Sequence, residues 1–424
     1  MKEDLDKVPE ILAPIQNWKT LKFIDNLPDA IYFGVQNYNM RKKADNFTID
    51  DLGKITKFCH EQKNPIKAYL CTNIVIYNNE LDELECIIKR AKDAKIDAII
   101  AHDIAAINLS RKYNIPFHIS TQANISNIES AQFYEDLAAE RINLARELSL
   151  KQIIDIKKQL NKSEIECFVH GSMCTSISGR CYFSAEICKS QEFSANRGNC
   201  VQPCRRKWTV IDDQANKFIY DGKMFLNAKD LCMIEYIPQL MEAEIDAFKI
   251  EGRMKDPLYV KTVVQTYKKA IESYYNNTFT LKKAKKWKER LSEVFNRGFH
   301  TGFYFNTPTI EDIEMEYRGN ISKYRRKYIG KVLSYKRDEK IANVIIEAID
   351  ERISKEDPII IESHNSFYTD KIHTLAFQGT RYDSIIRKNS DDPLSINITL
   401  KKVIEKNAKI YKLIKREKIN IEVN

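Results

Sequence analysis

The sequence predicts an α/β fold: a (β/α)8 TIM-like barrel followed by a small C-terminal all-β domain. Eight short apolar runs alternate with segments of helical periodicity over roughly the first 250 residues, and eight such units are the number that closes a barrel. No Gly-x-Gly-x-x-Gly follows the first run, so the alternative of an open, doubly wound sheet lacks its usual dinucleotide site. After residue 325 short β-rich runs replace the helical pattern.

The eight predicted strands are apolar runs bounded by polar residues, as expected for strands of a parallel sheet. In chain order they are EILAPI (10–15), AIYFGVQNY (30–38), IKAYLCTNIVI (66–76), DAIIAHD (97–103), PFHISTQANI (116–125), RINLARE (141–147), EIECFVHG (164–171) and AFKIEGRM (247–254). The segments between them have the period of an amphipathic helix. In LDELECIIKRAKDAKI, for example, one face carries Leu81, Leu84, Ile87, Ile88 and Ala91.

Three regions follow from these patterns. Residues 1–305 form the predicted barrel and end with a long helical segment, PLYVKTVVQTYKKAIESYY, and a basic one, KKAKKWKER. Residues 306–325 are a predicted linker. Residues 326–424 are a predicted small basic β domain, because KYIGKVLSY, IANVIIEAI, PIIIES and SINITLKKV are separated by charged turns.

The formal net charge of +9 is concentrated in the second half of the chain. Basic residues cluster in KKAKKWKER (282–290), in KYRRKY (323–328) and at the C-terminus. Each cluster alone is equally a solvated helix face or a polar tail. Together, with Trp287, Tyr324 and Tyr328 available for stacking, they predict an RNA or DNA backbone as partner.

The first residues, MKEDLDKVPE, are polar, and the sequence contains no apolar run long enough to span a membrane. We therefore expect a cytoplasmic protein with no membrane partner. In a reducing compartment, clustered cysteines bind metal or do redox chemistry more often than they form disulfides.

Polar residues recur where the predicted strands end. In a barrel the carboxyl ends of the strands meet at one face, which is where catalytic residues gather. Loop polarity explains any one of them, but their recurrence at strand after strand predicts a site. They are Asn39, Arg41, Thr72, Asn73, His102, Asp103, Thr121, Gln122, Asn124, Arg146, Glu147, His170, Glu251 and Arg253.

Five of the ten cysteines lie within residues 174–204, just after the seventh predicted strand. Their spacing matches neither a zinc ribbon nor a Cys-x-x-Cys redox site. The segment is rich in Gly, Ser and Arg, so a role for these cysteines as small core residues is a weak alternative, although it suits Cys59, Cys71, Cys86 and Cys167. Irregularly spaced thiols with a basic rim favour iron and sulfur over zinc.

The motifs HGSMCTSISGRC, NRGNCVQPCR, NAKDLCMI and FKIEGRM, with ILAPIQNW, IYFGVQNYNMRKKADNF and HISTQANISN, closely resemble those of the thirty-second family of unclassified peptidases, the collagenase-like family. The resemblance covers at least residues 10–255. The members that this chain resembles are RNA hydroxylation proteins. One branch forms 5-hydroxyuridine at the tRNA wobble position, another forms 5-hydroxycytidine in 23S ribosomal RNA, and further relatives hydroxylate ubiquinone precursors.

The resemblance implies a 4Fe-4S cluster, with prephenate as co-substrate and source of the hydroxyl oxygen. Carried over residue by residue, it points to Cys174, Cys181, Cys200 and Cys232 as the cluster ligands. Cys204 lies in the same motifs and is a reserve ligand, and Cys188 is outside the set.

The resemblance also places the cluster at the open face of the barrel, beside residues predicted to be catalytic: His170, Glu251 and Arg253. A dicarboxylate such as prephenate suits arginines through bidentate pairing, and for this role we predict Arg41 and Arg146, with Arg253 as a third candidate. The RNA partner implied is a tRNA.

Two other functions stay open at this point. A collagenase-like protease would need catalytic residues that the sequence does not display, since it has neither a serine in a nucleophile elbow nor His-Glu-x-x-His. A non-enzymatic RNA-binding protein would use the cysteines for a structural metal. Some relatives act as pairs, so a homo- or hetero-oligomer is compatible with either.

Overall fold

The computed structural model of the protein describes residues 8–217, 222–388 and 394–416. These residues divide into two compact units, one of residues 8–17 and 24–321 and the other of residues 18–23 and 322–416. The predicted domain limits at residues 305 and 326 stay predictions. Residues 310–317 fall in the predicted linker, and several of them hydrogen-bond to residues 224–229 of the first unit.

The first unit is built on a closed barrel of eight parallel strands. The strands of this unit are, in chain order, β1 Glu10–Pro14, β2 Ala30–Phe33, β3 Lys67–Thr72, β4 Ala98–Ala101, β5 Phe117–Ile119, β6 Arg141–Asn143, β7 Glu164–Ser172, β8 Asp230–Cys232, β9 Ala247–Ile250 and β10 Phe299–His300. The barrel itself consists of β1 to β7 and β9. Strands β1 to β7 pair in sequence order, and β9 pairs in parallel with both β7 and β1, which closes the ring. The predicted barrel and its eight strands are confirmed.

Helices follow the strands as a (β/α)8 fold requires. The helices are, in chain order, α1 Trp18–Ile24, α2 Leu52–His60, α3 Leu81–Asp93, α4 Ile104–Lys112, α5 Ile128–Asp136, α6 Leu150–Lys157, α7 Phe183–Cys188, α8 Ile237–Glu242, α9 Pro257–Tyr275 and α10 Leu281–Ser292. In α3, Leu84, Ile87, Ile88 and Ala91 are buried, as the apolar period predicts. Leu81, at the first position of α3, is exposed.

The connection between β7 and β9 departs from the simple repeat. It contains the cysteine segment (residues 174–204), the short helix α7, the strand β8 and the helix α8. Strand β8 runs antiparallel to β7 with Cys232 opposite His170, and β10 adds to its other side. This insertion extends the wall of the barrel at its carboxyl end.

The second unit is all β, as predicted. Its strands are β11 Tyr324–Lys336, β12 Ile341–Ile346, β13 Arg352–Ser354, β14 Pro358–Glu362, β15 Phe367–Lys371, β16 Leu375–Phe377, β17 Thr380–Arg381, β18 Ser384–Ile386, β19 Leu394–Thr399 and β20 Lys409–Lys415. Eight of them form one antiparallel sheet. Alternate residues of β12 are buried in its core, as the two-residue period of a strand dictates.

No helix within the described part of the chain combines the length and the apolar character needed to cross a membrane.

Candidate active site at the barrel mouth

A cavity of about 380 Å³ opens at the carboxyl ends of the barrel strands. The predicted catalytic and co-substrate residues all line it: Arg41, Arg146, His170, Glu251 and Arg253. Asn73, Thr121 and Gln122 line it as well, so the structure brings these strand-end residues together, and their catalytic and co-substrate roles stay predictions.

Other polar strand-end residues serve the fold instead. The Asp103 carboxylate accepts a hydrogen bond from the backbone of Ala105 at 2.9 Å and caps α4. The Asn39 side chain donates to the carbonyl oxygens of Val35 and Asn37, both at 2.6 Å. Neither residue lines the cavity, and neither do Thr72, His102, Asn124 and Glu147.

Positive charge dominates the cavity wall. A single carboxylate, that of Glu251, stands against nine Lys and Arg side chains, which are Arg41, Lys43, Arg146, Arg180, Arg205, Lys249, Arg253, Lys255 and Arg297. Lys249 is matched from the barrel interior by Glu166, 2.6 Å away, and Arg297 by Asp230, 3.1 Å away. The remaining excess makes the cavity a receptor for anions.

The one carboxylate of the wall is held by Arg41. Arg41 Nε and Nη2 lie 3.2 and 2.7 Å from the same oxygen of Glu251, and the Tyr32 hydroxyl lies 3.4 Å from the other oxygen. Burial alone would raise the pKa of Glu251, but Arg41 and Arg253 hold it below its ordinary value. Glu251 is therefore an anion, and its charge is already committed to Arg41.

Arg253 is a buried cation with unused hydrogen-bonding capacity. Its side chain is 2% exposed, its Nη2 donates to Asn46, and its Nε has no partner among the described residues. Burial lowers the pKa of Arg253, and the adjacent charge of Arg41 adds to that effect. Gly34 makes room for it, because a Cβ there would lie 2.7 Å from Arg253 Nη2. The sequence analysis did not single out Gly34, because this glycine belongs to no motif that marks a close approach of the backbone.

Arg146, which follows β6, has a similar donor to spare, and one strand, β7, separates β6 from the strand that Arg253 follows, β9. Its Nη2 donates to the carbonyl oxygen of Ser176 at 3.3 Å, which ties β6 to the cysteine segment. Its buried Nε has no partner in the described part of the chain. Arg146 and Arg253 thus each offer a free N–H to the cavity region, as a carboxylate ligand would require.

His170 is enclosed by aromatic rings. The rings of Tyr259, Tyr267 and Phe299 lie with centroids 5.6 to 6.0 Å from the imidazole, and the Tyr267 hydroxyl is 3.5 Å from Nδ1. Burial lowers the pKa of His170 to about 3. The imidazole is therefore neutral at physiological pH, and it can offer the cavity a neutral donor or acceptor but no positive charge.

Among the described residues, five thiols line the cavity: Cys71 of β3 and, from the cysteine segment, Cys174, Cys181, Cys200 and Cys204. Burial raises the pKa of both Cys200 and Cys204, and the nearby thiols of Cys174 and Cys181 raise it further. The structure therefore groups Cys204, the reserve ligand, with three of the four predicted ligands. Among the described residues, no three His, Cys, Asp or Glu side chains lie close enough together to hold a metal ion.

Cys232 lies elsewhere. It is a buried residue of β8 that does not line the cavity, and burial raises its pKa to about 11. The charged groups nearest to it are Lys288 and Glu235, not the other thiols. The predicted set with Cys232 as fourth ligand is thus not brought together: Leu231 of β8 lines the cavity, and successive side chains of a strand point to opposite faces of the sheet. Cys188, in α7, is also outside the lining.

Backbone donors accompany two of the four thiols of the cysteine segment. The amide of Ser176 donates to Cys174 Sγ at 3.5 Å, and that of Gln202 donates to Cys200 Sγ at 3.2 Å. Such N–H groups stabilise thiolates and tune clusters that thiolates hold. Gly198, with φ +78°, lets the segment approach β2, since a Cβ there would lie 2.2 Å from the Asn39 carbonyl oxygen. The donor set and its setting fit an iron–sulfur cluster.

Fold and site together define a (β/α)8-barrel protein with thiols and an excess of cations in one cavity at its mouth. The chain belongs to peptidase family U32, which it matches over residues 16–314.

Three similar proteins carry different descriptions. An uncharacterized protease of Methanocaldococcus jannaschii is 40% identical over 344 residues, covering 79% of this chain and 83% of that protein. A collagenase of Porphyromonas gingivalis is 35% identical over 422 residues, covering 96% and 98%. The tRNA hydroxylation protein P1 of Bacillus subtilis is 36% identical over 351 residues, covering 81% of each chain. The family thus contains proteins named for RNA hydroxylation and for proteolysis.

Proposed function

We propose that this protein is an iron–sulfur RNA hydroxylase that forms 5-hydroxyuridine at the wobble position of tRNA, with prephenate as oxygen donor. The observation that carries the proposal is the cavity itself, in which four thiols of the cysteine segment stand among nine cations and one carboxylate of the described residues. The similarity to a tRNA hydroxylation protein supports the RNA substrate. Wobble uridine and prephenate come from the resemblance of the motifs.

The cluster would be held by Cys174, Cys181, Cys200 and Cys204, the four thiols that the cysteine segment contributes to the cavity wall. When bound, a 4Fe-4S cluster would supply electron transfer. The surrounding cations offset the charge of four thiolates, and the amides of Ser176 and Gln202 donate to two of the sulfurs.

The co-substrate would be bound by arginines that lack a carboxylate partner. Arg253 and Arg146 each have an unpaired Nε, so a dicarboxylate between them would satisfy both. Arg41, predicted for the same role, already pairs with Glu251 and instead positions that carboxylate beside Arg253. Glu251 would then orient Arg41 and Arg253 rather than act as a proton carrier.

The target pyrimidine must leave its stack to reach a residue inside a barrel mouth. Neutral His170, fixed by Tyr267 and its aromatic neighbours, would present an uncharged hydrogen-bonding edge to the base or co-substrate. The exposed lysines of α10, Lys282, Lys285 and Lys286, would contact the RNA backbone, giving an affinity that falls with salt.

Two alternatives remain as competing outcomes of the test. Hydroxylation of cytidine in 23S ribosomal RNA would use the same cavity, and peptide hydrolysis has the names of two similar proteins in its favour.

Nucleoside analysis of a strain lacking the gene tests all three. We expect mass spectrometry of its tRNA to show the loss of 5-hydroxyuridine and its derivatives, and the gene with Cys174 intact, but not a Cys174→Ala copy, to restore them. Loss of 5-hydroxycytidine from ribosomal RNA would shift the substrate. Unchanged nucleosides together with collagen cleavage by the purified protein would replace the proposal with the peptidase function.

A further inference from the structure

Two cations of the cavity wall are paired across one aromatic ring. Lys255 Nζ lies 3.1 Å from the ring centroid of Phe295, and Arg297 Cζ lies 4.9 Å from the same centroid. The negative faces of an aromatic ring attract cations, so Phe295 offsets part of the repulsion between them. Both positive side chains thus contact Phe295, and both line the cavity.

Among the described residues, Asp230 is the one carboxylate that forms a salt bridge with either of these two cations. Asp230 pairs with Arg297 through Nη1, but Arg297 Nε is buried and has no partner in the described part of the chain. Lys255 Nζ has no salt bridge with any described carboxylate. Arg205 adds a third positive charge, and its guanidinium is committed to Asn227 and to the carbonyl oxygens of Met173 and Ala228.

Burial lowers the pKa of Lys255 to about 7. The positive charges of Arg297 and Arg205 lower it as well, and the carboxylates of Asp230 and Glu251 oppose them. A bound anion would relieve this repulsion and restore the ammonium form of Lys255. A pair of cations with a spare N–H and a spare ammonium group is the chemistry that recognises an oxyanion.

The residues around Lys255 at the rim of the cavity favour an RNA strand as the source of the anion. The preceding residue, Met254, lines the cavity and is 48% exposed, and Ile177 of the cysteine segment lines it with the same exposure. Two exposed apolar side chains at a cavity rim suit the faces of a base inserted between them. Arg253 and Arg297 are 2% and 6% exposed, so a group that reaches either of them must enter the cavity.

We infer that Lys255 and Arg297 form an oxyanion subsite for a phosphate group of the RNA strand next to the inserted pyrimidine. This inference rests on the proposed function and adds to it a residue-level contact with the RNA backbone. Two other negatively charged groups could pair with these cations instead of a phosphate: the carboxylate of a co-substrate and the cluster. The experiment below separates the three.

The test is a binding cycle on the full-length, cluster-containing protein under anaerobic conditions. The probes are an anticodon stem-loop RNA with uridine at the wobble position and versions in which one phosphate flanking that uridine is a neutral methylphosphonate. We expect Lys255→Met to weaken binding of the unmodified RNA about tenfold, the loss typical of one hydrogen bond to a charged group. One neutral linkage should weaken wild-type binding by a similar factor.

The decisive result is non-additivity. The Lys255→Met protein should bind the RNA with the relevant neutral linkage as tightly as it binds the unmodified RNA, because the phosphate that the linkage replaces no longer has a lysine to contact. A Lys255→Arg protein should bind the unmodified RNA almost as tightly as wild type. Lys282→Met, an exposed lysine of α10, serves as matched control and should combine additively with every neutral linkage.

Other outcomes overturn the inference. Additive losses for Lys255→Met at both flanking linkages, or unchanged RNA binding, would exclude the phosphate contact. A changed affinity for prephenate or a shifted cluster reduction potential, with RNA affinity unchanged, would assign the cations to those partners instead. This experiment measures RNA binding and does not depend on turnover. If the strain lacking the gene kept its hydroxylated nucleosides, the proposed hydroxylation would be wrong, but the coupling between Lys255 and the phosphate would still be present or absent on its own evidence.

Discussion

Cys204 and Cys232 compete for the fourth ligand position, and exchanging each for alanine should give opposite results. Cys232 is 3% exposed in β8, so removing its sulfur leaves an unfilled space about the size of one methylene group. Such deletions cost about 1 kcal/mol in the free energy of unfolding. Cys204 is partly exposed at the cavity wall, so its removal should change the unfolding free energy of the metal-free chain by less than about 0.5 kcal/mol.

The metal content should follow the reverse order. Protein reconstituted without oxygen should hold about four irons per chain as wild type and as Cys232→Ala, because four thiolates hold one such cluster. Cys204→Ala should lose most of this iron together with the visible absorption of the cluster. Iron and acid-labile sulfide assays measure the first quantity, and urea unfolding of the metal-free proteins measures the second.

A Cys204→Ser variant separates a missing ligand from a disturbed fold, since serine fills nearly the same space. The reasoning would be refuted if Cys232→Ala lost its iron while Cys204→Ala and Cys204→Ser kept theirs. In that case β8 would have to leave its pairing with β7 when the cluster forms.

Three further outcomes are expected. Arg41→Met and Glu251→Leu should each lower the unfolding free energy measured by urea titration by about 2 kcal/mol, because each leaves a partly buried charge unpaired. The double variant should lose clearly less than the sum of the two single losses, and additive losses would contradict the pairing. The pKa of His170 is about 3 in the folded protein and 6.5 in the unfolded chain, so between these values only the unfolded chain binds this proton, and the contribution of His170 to stability is complete above pH 6.5 and falls as the pH drops. His170→Phe should therefore reduce the slope of unfolding free energy against pH by up to about 1.4 kcal/mol per pH unit. An unchanged slope would show that the imidazole is solvated. Lys282→Met with Lys286→Met should lower RNA affinity and reduce the slope of log K against log salt by up to about two, and an unchanged slope would exclude α10 from the RNA interface.

Strand-end residues were predictable because a parallel barrel obeys a geometric rule. Once eight apolar runs alternate with helices, the residues after each run must converge on one face, and Arg41, Arg146 and Glu251 do so. The rule does not say which convergent residues face the cavity and which cap a helix. Asp103 follows its strand as Glu251 does, yet its carboxylate caps α4.

Charge pairing could not be predicted from the sequence, because it joins residues far apart in the chain. Arg41 and Glu251 are 210 positions apart, and their contact turns a predicted co-substrate ligand into the partner of a predicted catalytic residue. Lys255 is likewise about 40 positions from Phe295 and Arg297 in the sequence and meets them only in the folded protein. A nearby motif, FKIEGRM, precedes Lys255 and is the one sequence signal that could have drawn attention to it.

The sequence by itself determined the barrel, the all-β unit and the cysteine segment, because apolar periodicity and local residue composition act over a few neighbouring residues. Only the tertiary structure decided which cysteines share a wall and which cations lack a counter-charge. The physical reason is that both depend on how distant segments meet: β8 puts Leu231 in the cavity wall and its neighbour Cys232 outside it, and the folded cysteine segment brings Cys204 to the same wall as Cys174, Cys181 and Cys200.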